Sequence, residues 1–314
     1  MDGAHRTELV RHRAAPALDG LVAGMVGMSE RAPGAVRRRQ PAGSLLPLVI
    51  SFGEPFEVDA LSDATGAGRS YRSFVAGFST GHASTRFERG QDCVQVFLTP
   101  LGVRRVLGMP GKEVARRVVA ADDVVRGLGD VLGERLASVD GWDERFGLVE
   151  AALLDRVASA AAPPAWVTWM WRQIDASGGQ ARIGELVEQT GWSHRHVATV
   201  FGAEVGLTPK QAAGVVRFER AAADLGRLPL AHIAARHGYA DQSHLTRAVA
   251  RYAGETPSEL AAARRPTPST ALGPGAVLLD QEARRVTAAS RSGSGTDDAP
   301  ATALARVFHW FWSR

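Results

Sequence analysis

Cysteine is almost absent. Cys93 stands alone in 314 residues, which excludes an internal disulfide framework and any zinc site built from several thiolates. Lysine is nearly as scarce: only Lys112 and Lys210 are present, so 35 of the 37 basic side chains are arginine. That skew, with the abundant alanine and glycine, fits a GC-rich genome. No apolar run approaches the roughly 18 residues of a membrane span; the longest are pieces such as residues 45–50. The amino terminus has charges but no hydrophobic stretch behind them, which argues against a secretory signal. The expectation is a soluble, cytoplasmic protein.

What is present suffices for a packed core. Hydrophobic residues make up 45% and charged ones 22%, which excludes disorder of the whole chain. The length predicts two domains. A formal charge of +4 permits an anionic partner without requiring one.

Residues 1–43 read as a flexible lead-in, polar and rich in arginine, with Arg37-Arg38-Arg39 as a solvated or nucleic-acid-facing patch. From Pro47 the texture changes to short apolar runs broken by Gly and Pro: LPLVISFG, FEVDAL, SFVAGFST and CVQVFLTPLGV read as strands. The spacing after Pro110-Gly111 predicts two amphipathic helical pieces on either side of Asp122-Asp123, the first holding Val118 and Val119 and the second Leu128, Val131, Leu132 and Leu136. A further helix is expected over about 143–160, with Phe146, Val149, Leu153, Leu154 and Val157 on one face. Residues 44–162 thus form an α+β N-terminal domain, mostly β and then helical. Pro163-Pro164 marks the boundary. The Pro-, Gly- and Ser-rich residues 266–314 read as a mostly disordered tail.

Residues 165–265 are helical throughout and contain a repeat. At an offset of 48, His196 falls on His244, Val197 on Leu245, Gly206 on Gly254, Thr208 on Thr256 and Pro209 on Pro257. Each block has the grammar of a helix-turn-helix. A short helix ends at Gly191 or Gly238, residues able to take the left-handed backbone that closes a helix. An aromatic residue, Trp192 or Tyr239, follows to plug the corner. Ser193 or Asp241 then caps a second helix. Both blocks leave through Gly into Thr-Pro, and Thr208-Pro209-Lys210-Gln211 and Thr256-Pro257-Ser258-Glu259 are capping boxes.

A second helix so placed fits the major groove of B-DNA and presents side chains to base edges. Turning 100° per residue from the apolar stripe, the outward positions are Arg195, Ala198, Thr199 and Gly202 in the first block. In the second they are Ser243, Thr246, Arg247 and Ala250, with Gln242 at the helix start. Arginine suits guanine and glutamine suits adenine. Arg182, His196, Lys210, His244 and Arg251 are candidate phosphate contacts, although the two histidines serve equally as helix-packing groups. Arg217 and Arg220, between the blocks, read as intramolecular salt-bridge partners. Over 181–265, eleven Arg/Lys face eight Asp/Glu, a patch that implies modest non-specific affinity.

The segment GYADQSHLTRAVARYAGETPSEL, preceded by PLAHIAARHG, resembles the AraC/XylS family of bacterial transcription regulators over residues 165–265. The resemblance implies two helix-turn-helix units joined by a long helix, 209–225, with the recognition helices at about 193–205 and 242–253 in successive major grooves. By motif position, base contacts fall on Arg195, Thr199, Gln242, Ser243, Thr246 and Arg247. Leu245 and Val249 stand where many members have phenylalanine, and the first recognition helix offers fewer reading groups than the second. The resemblance further implies a cytoplasmic regulator acting on double-stranded operator DNA, with RNA polymerase as a partner where it is an activator; activation and repression are both open. It also implies a homodimer and a small-molecule effector acting on an N-terminal domain of cupin-type β-barrel and helices.

Nothing in the sequence points to catalysis, a cofactor or a resident metal. Cys93 lies in an alternating strand without an activating base and reads as a core residue, with redox sensing as the residual alternative. His82 lacks ligands at metal spacing and reads as structural or surface. Gly66-Ala-Gly68 lacks a following Gly-Lys-Ser/Thr and is a turn. Asp122-Asp123 reads as a helix cap.

Overall fold

The computed structural model describes residues 5–63 and 67–263. Ten strands come first: β1 (Arg6–His12), β2 (Val22–Arg31), β3 (Val36–Gln40), β4 (Leu46–Ser51), β5 (Phe56–Leu61), β6 (Arg69–Tyr71), β7 (Phe74–Ala76), β8 (Ala83–Phe87), β9 (Gly90–Leu98) and β10 (Val118–Ala120). They build two antiparallel sheets, one in the order β1-β2-β9-β4-β7-β10 and the other β3-β8-β5-β6. Helices α1 (Pro100–Leu107), α2 (Ala121–Val124), α3 (Asp130–Ala137) and α4 (Trp142–Ser159) complete this N-terminal part. The remainder is α5 (Ala165–Ala176), α6 (Ile183–Thr190), α7 (His194–Val205), α8 (Pro209–Ala223), α9 (Leu230–Arg236), α10 (Gln242–Ala253) and α11 (Pro257–Ala263).

The period-two alternation of a strand separates two apolar layers. Leu48 and Ile50 of β4, with Val94 and Val96 of β9, belong to the layer shared with the helices. Val49 and Cys93, from the same strands, join Met28, Phe56, Val58 and Phe74 between the two sheets. Cys93 is fully buried, and burial pushes its thiol up to about 12. It therefore stays protonated at neutral pH, without the thiolate that oxidation chemistry requires.

Three expectations change. Residues 6–40 form β1, β2 and β3 instead of a flexible lead-in, because every strand here finds a ladder partner: β1 on β2, β2 on β9, β3 on β8. The arginine run is not a free patch. Arg37 pairs with Asp59 at 2.9 Å, and Arg38 points between the sheets onto Glu30, whose side chain is completely buried. Val118 and Val119, read as helical, are the sheet-edge strand β10, in register with Ala76 and Val75 of β7; β-branched residues favour that pleated setting. Asp122 does act as a cap: its carboxylate accepts from the backbone N–H groups of Gly127, Gly129 and Asp130. The expected tail over 266–314 lies outside the described residues. Among the described residues no helix is long and apolar enough to cross a membrane.

The N-terminal part packs directly on the helical part. Phe78 meets Trp171 of α5 edge-on, with ring centroids 5.9 Å apart. Arg104 of α1 donates to both carboxylate oxygens of Glu204 on α7, at 3.0 and 3.1 Å.

The Glu30–Arg38 pair ties one sheet to the other through two hydrogen bonds of 2.7 Å, with His5 at 2.6 Å from the same carboxylate. Burial pushes the Glu30 carboxyl up, but the bonds and charge of Arg38 and His5 outweigh it and hold it below the usual carboxylate range. Arg38→Met leaves a buried carboxylate without its main partner and is expected to cost about 3–5 kcal/mol in urea unfolding near neutral pH. A carboxyl with a lowered folded pKa stabilises fully above its unfolded value and loses that contribution as the pH falls through the folded value. The gap between wild type and variant should accordingly narrow in acid.

Candidate nucleic-acid interface

The two helix-turn-helix units are built by local rules. Helix α6 closes at Gly191, with φ +72° and its N–H on the Glu188 carbonyl. Ser193 then caps α7, its side chain accepting from the His196 N–H at 3.2 Å. In the second unit the chain turns at Gly238, with φ +67°, and Asp241 accepts from the His244 N–H at 2.7 Å. Helices α7 and α10 begin and end 48 residues apart, 194 with 242 and 205 with 253. Helix α8 joins the units and opens with the expected reciprocal box between Thr208 and Gln211. Thr256 and Glu259 make the equivalent pair before α11, at 2.8 and 3.2 Å.

Of the residues expected at base edges, Arg195, Thr199, Gln242, Ser243 and Arg247 are exposed. Thr246 is half-buried, and its hydroxyl donates to the Gln242 carbonyl at 3.0 Å. Lys210 and Arg251 are exposed, Arg251 lying 5.5 Å from the Tyr252 ring centroid. Arg182 is exposed and pairs with Glu185 at 3.0 Å. His196 is half-buried and stacked on Trp192, centroids 4.4 Å apart. His244 is half-buried with its ring edge-on to Tyr239 at 5.2 Å.

The repeat breaks at one position. Tyr239 is buried beneath Arg217, whose guanidinium lies 5.0 Å from its ring centroid, and burial pushes its phenol up to about 12. Trp192, expected to plug the matching corner, is 50% exposed because its ring turns outward onto His196, which also faces Trp166 of α5. Arg220 does reach Asp175, at 3.5 Å. Arg217 instead serves the Gly238 carbonyl and the Tyr239 ring.

The N-terminal part holds the far ends of both recognition helices. The backbone around Gly111 packs on the last turn of α7, so close that a Cβ there would lie 2.6 Å from the Glu204 carbonyl oxygen. At the end of α10, Arg39 of β3 donates to the Gly254 carbonyl at 2.9 Å and sits 3.5 Å from Glu255. The Ala42 N–H donates to the Tyr252 carbonyl at 2.9 Å. His82 lies flat against Gly254, leaving no room for a Cβ. Burial first, and then the charge of Arg39, push the His82 imidazole below its ordinary range. Its role as an inter-part spacer was not visible in the sequence, where only its isolation shows.

Two capped, glycine-closed helix pairs at a fixed repeat, with their second helices exposed, define a protein of the helix-turn-helix class. Residues 186–263 match the family model described as "Helix-turn-helix domain", and this domain is of the AraC type. No curated protein sequence matches this chain. Among solved structures, the chain is similar to the C-terminal domain of AraT, a response regulator from Geobacillus stearothermophilus, at 21% identity over 34% of this chain and 93% of that one, with a TM-score of 0.32. It is also similar to ToxT from Vibrio cholerae at 8% identity, covering 82% and 98% of the two chains, with a TM-score of 0.45. Unsaturated-fatty-acid-bound ToxT aligns at 9% identity over 74% and 96%, with a TM-score of 0.42.

The contacts at Gly254 can be weighed against an otherwise similar site. Gly191 and Gly254 both close a helix at positive φ, but a Cβ at Gly191 meets nothing within 4 Å while one at Gly254 meets His82. Gly191→Ala should cost about 1–2 kcal/mol, the left-handed backbone penalty alone. Gly254→Ala should cost more, and His82→Ala in the same chain should recover the excess. Urea unfolding of the four proteins measures the difference.

Proposed function

We propose that this chain is a sequence-specific transcription regulator that lays α7 and α10 in successive major grooves of operator DNA. One observation carries the reading: two equivalent helices pack their inner faces into the core, leave their outward faces open, and meet the N-terminal part at their far ends. Arg195 and Thr199 in the first unit, and Gln242, Ser243, Thr246 and Arg247 in the second, read base edges. Neither Arg195 nor Arg247 forms an ion pair among the described residues, so neither must give one up on binding. Arg182, Lys210 and Arg251 take phosphates and set register. Of the two alternatives for His196 and His244, their ring contacts favour helix packing.

Control enters through the N-terminal part, which takes an effector or a second copy of the chain. The regulator works in the cytoplasm, with RNA polymerase as its partner where it activates. The contacts at the ends of α7 and α10 support the reading, since they give that part a hold on both reading units at once.

Selection of binding sites from random duplex DNA tests the assignment. The expected product carries two half-contacts about one helical turn apart. Arg247→Ala should relax the preference at one position by roughly 1–3 kcal/mol, whereas Lys210→Ala should weaken all sequences alike and flatten the slope of log K against log salt by about one unit. Absence of any enriched sequence at low salt overturns the assignment.

A further inference from the structure

Among the described residues, two large apolar side chains stand exposed: Val131 on α3 and Trp192 in the turn before α7. A single apolar group on a surface needs no explanation by itself. What sets Trp192 apart is how firmly it is held there. Its N–H donates to the Thr190 hydroxyl at 3.2 Å, Gly191 before it takes the left-handed turn, and Ser193 after it caps α7. Its ring stacks on His196, with centroids 4.4 Å apart and an interplanar angle of 26°, and His196 faces Trp166 of α5 at 6.2 Å. Three rings therefore run in a row from α5 to the turn, and the outermost keeps half of its surface open. Holding a large ring in one orientation before a partner arrives lowers the entropy lost on binding.

The row ends beside the reading face of α7. His196 and Thr199 are three residues apart, which makes them neighbours on the helix surface. That face carries only Arg195 and Thr199 as groups able to pair with bases, because Ala198 and Gly202 offer none. The chain around Trp192 is polar and exposed at Gln189, Ser193, His194 and Arg195, while Val131 belongs to the N-terminal part. The core of a protein–protein contact is a contiguous apolar patch, and a lone ring among polar groups does not supply one. A nucleic-acid backbone alternates apolar sugar with anionic phosphate, and an indole matches both with its ring face and its N–H.

We propose that Trp192 lays its open ring face on a deoxyribose of the operator backbone beside the first half-site and donates its indole N–H to the adjoining phosphate. It anchors α7 without reading bases. The second unit has no counterpart, since Tyr239 is buried beneath Arg217, and α10 carries more reading groups instead. This contact rests on the DNA-reading function proposed above and adds to it an anchor confined to the first unit.

Binding of the full chain to its selected operator is measured for wild type, Trp192→Ala and Trp192→Phe, with urea unfolding to establish that each variant folds. Trp192→Ala should weaken binding about ten-fold, as expected for hiding roughly 50–60 Å² of apolar ring. The slope of log K against log salt should stay as in wild type, because a neutral ring displaces no counterion. Penalties for single-base changes in the operator should also be unaltered. In hydroxyl-radical footprints, protection of deoxyriboses at one edge of the first half-site should be lost in Trp192→Ala and kept in Lys210→Ala. Trp192→Phe keeps a ring without the N–H; it should bind with intermediate affinity, and it carries the test should the alanine variant fail to fold.

Unchanged operator affinity in a folded variant overturns the contact; loss of transcription from that operator would then hand the ring to a protein partner. A loss confined to particular operator sequences overturns the backbone role, because the ring then reads bases. The DNA-reading assignment stands in each of these cases. Failure of the wild type to enrich any sequence overturns that assignment and the contact with it.

Discussion

Everything that positions the reading surfaces depends on the burial of one helix, α8. Ten of its 15 residues are buried, and its small residues let neighbours come close. A Cβ on Gly214 would lie 2.5 Å from the Tyr252 hydroxyl, and Phe218 stacks on the Tyr252 ring at 4.9 Å. The carboxylate of Glu219, buried on the same helix, accepts from Ser44 of the N-terminal part. One helix thus fixes α10 by an aromatic stack, carries Arg217 to the Gly238 turn, and anchors the β3–β4 connection. A larger residue at Gly214 would meet the tip of the Tyr252 side chain, which would have to shift from its stack on Phe218.

The N-terminal part solves a different problem. A two-sheet stack that is apolar throughout would be more stable than one containing Glu30, Arg38, Gln40 and Gln95 between its layers, because buried polar groups repay their desolvation only when fully paired. The Glu30 carboxylate meets that condition, with both oxygens on the terminal nitrogens of Arg38 and one also on His5. Gln40 and Gln95 do not, and they stand where the layers part. Gln40 lies one residue along β3 from Arg39, which reaches the end of α10.

How much of this the sequence discloses depends on whether the governing interaction is local. The helix-turn-helix units are legible because each signal acts within a few residues: glycine at positive φ in Gly191 and Gly238, an oxygen three residues before its N–H in Ser193 and Asp241, proline at the first helical position in Pro209. Repetition at 48 residues then doubles the signal. Strand β3 is illegible for the opposite reason. VRRRQ reads as solvated because its inward positions are Arg38 and Gln40, and only the distant Glu30 makes an inward arginine tolerable. Val118 and Val119 fit a helical period until β7 supplies an edge. Trp192 and Tyr239 occupy equivalent places, but Arg217 covers one and His196 draws the other outward, a difference made by neighbours remote in sequence.

The far-end attachment limits what the N-terminal part can regulate. Its contacts reach Glu204, Tyr252, Gly254 and Glu255, all at or beyond the last turn of a recognition helix, whereas the groups proposed to meet bases begin at Arg195 and Gln242 near the first. Shifting those contacts rotates or translates a whole helix and leaves its sequence of outward side chains unchanged. Under the proposed function, base preference within a half-site is set by the helix, and what the N-terminal part would govern is whether two half-sites at a given separation can be engaged together. Because joint engagement multiplies the affinities of two linked units through effective concentration, a displacement at Gly254 would, under that function, alter occupancy of a two-part operator while each unit kept its own preference.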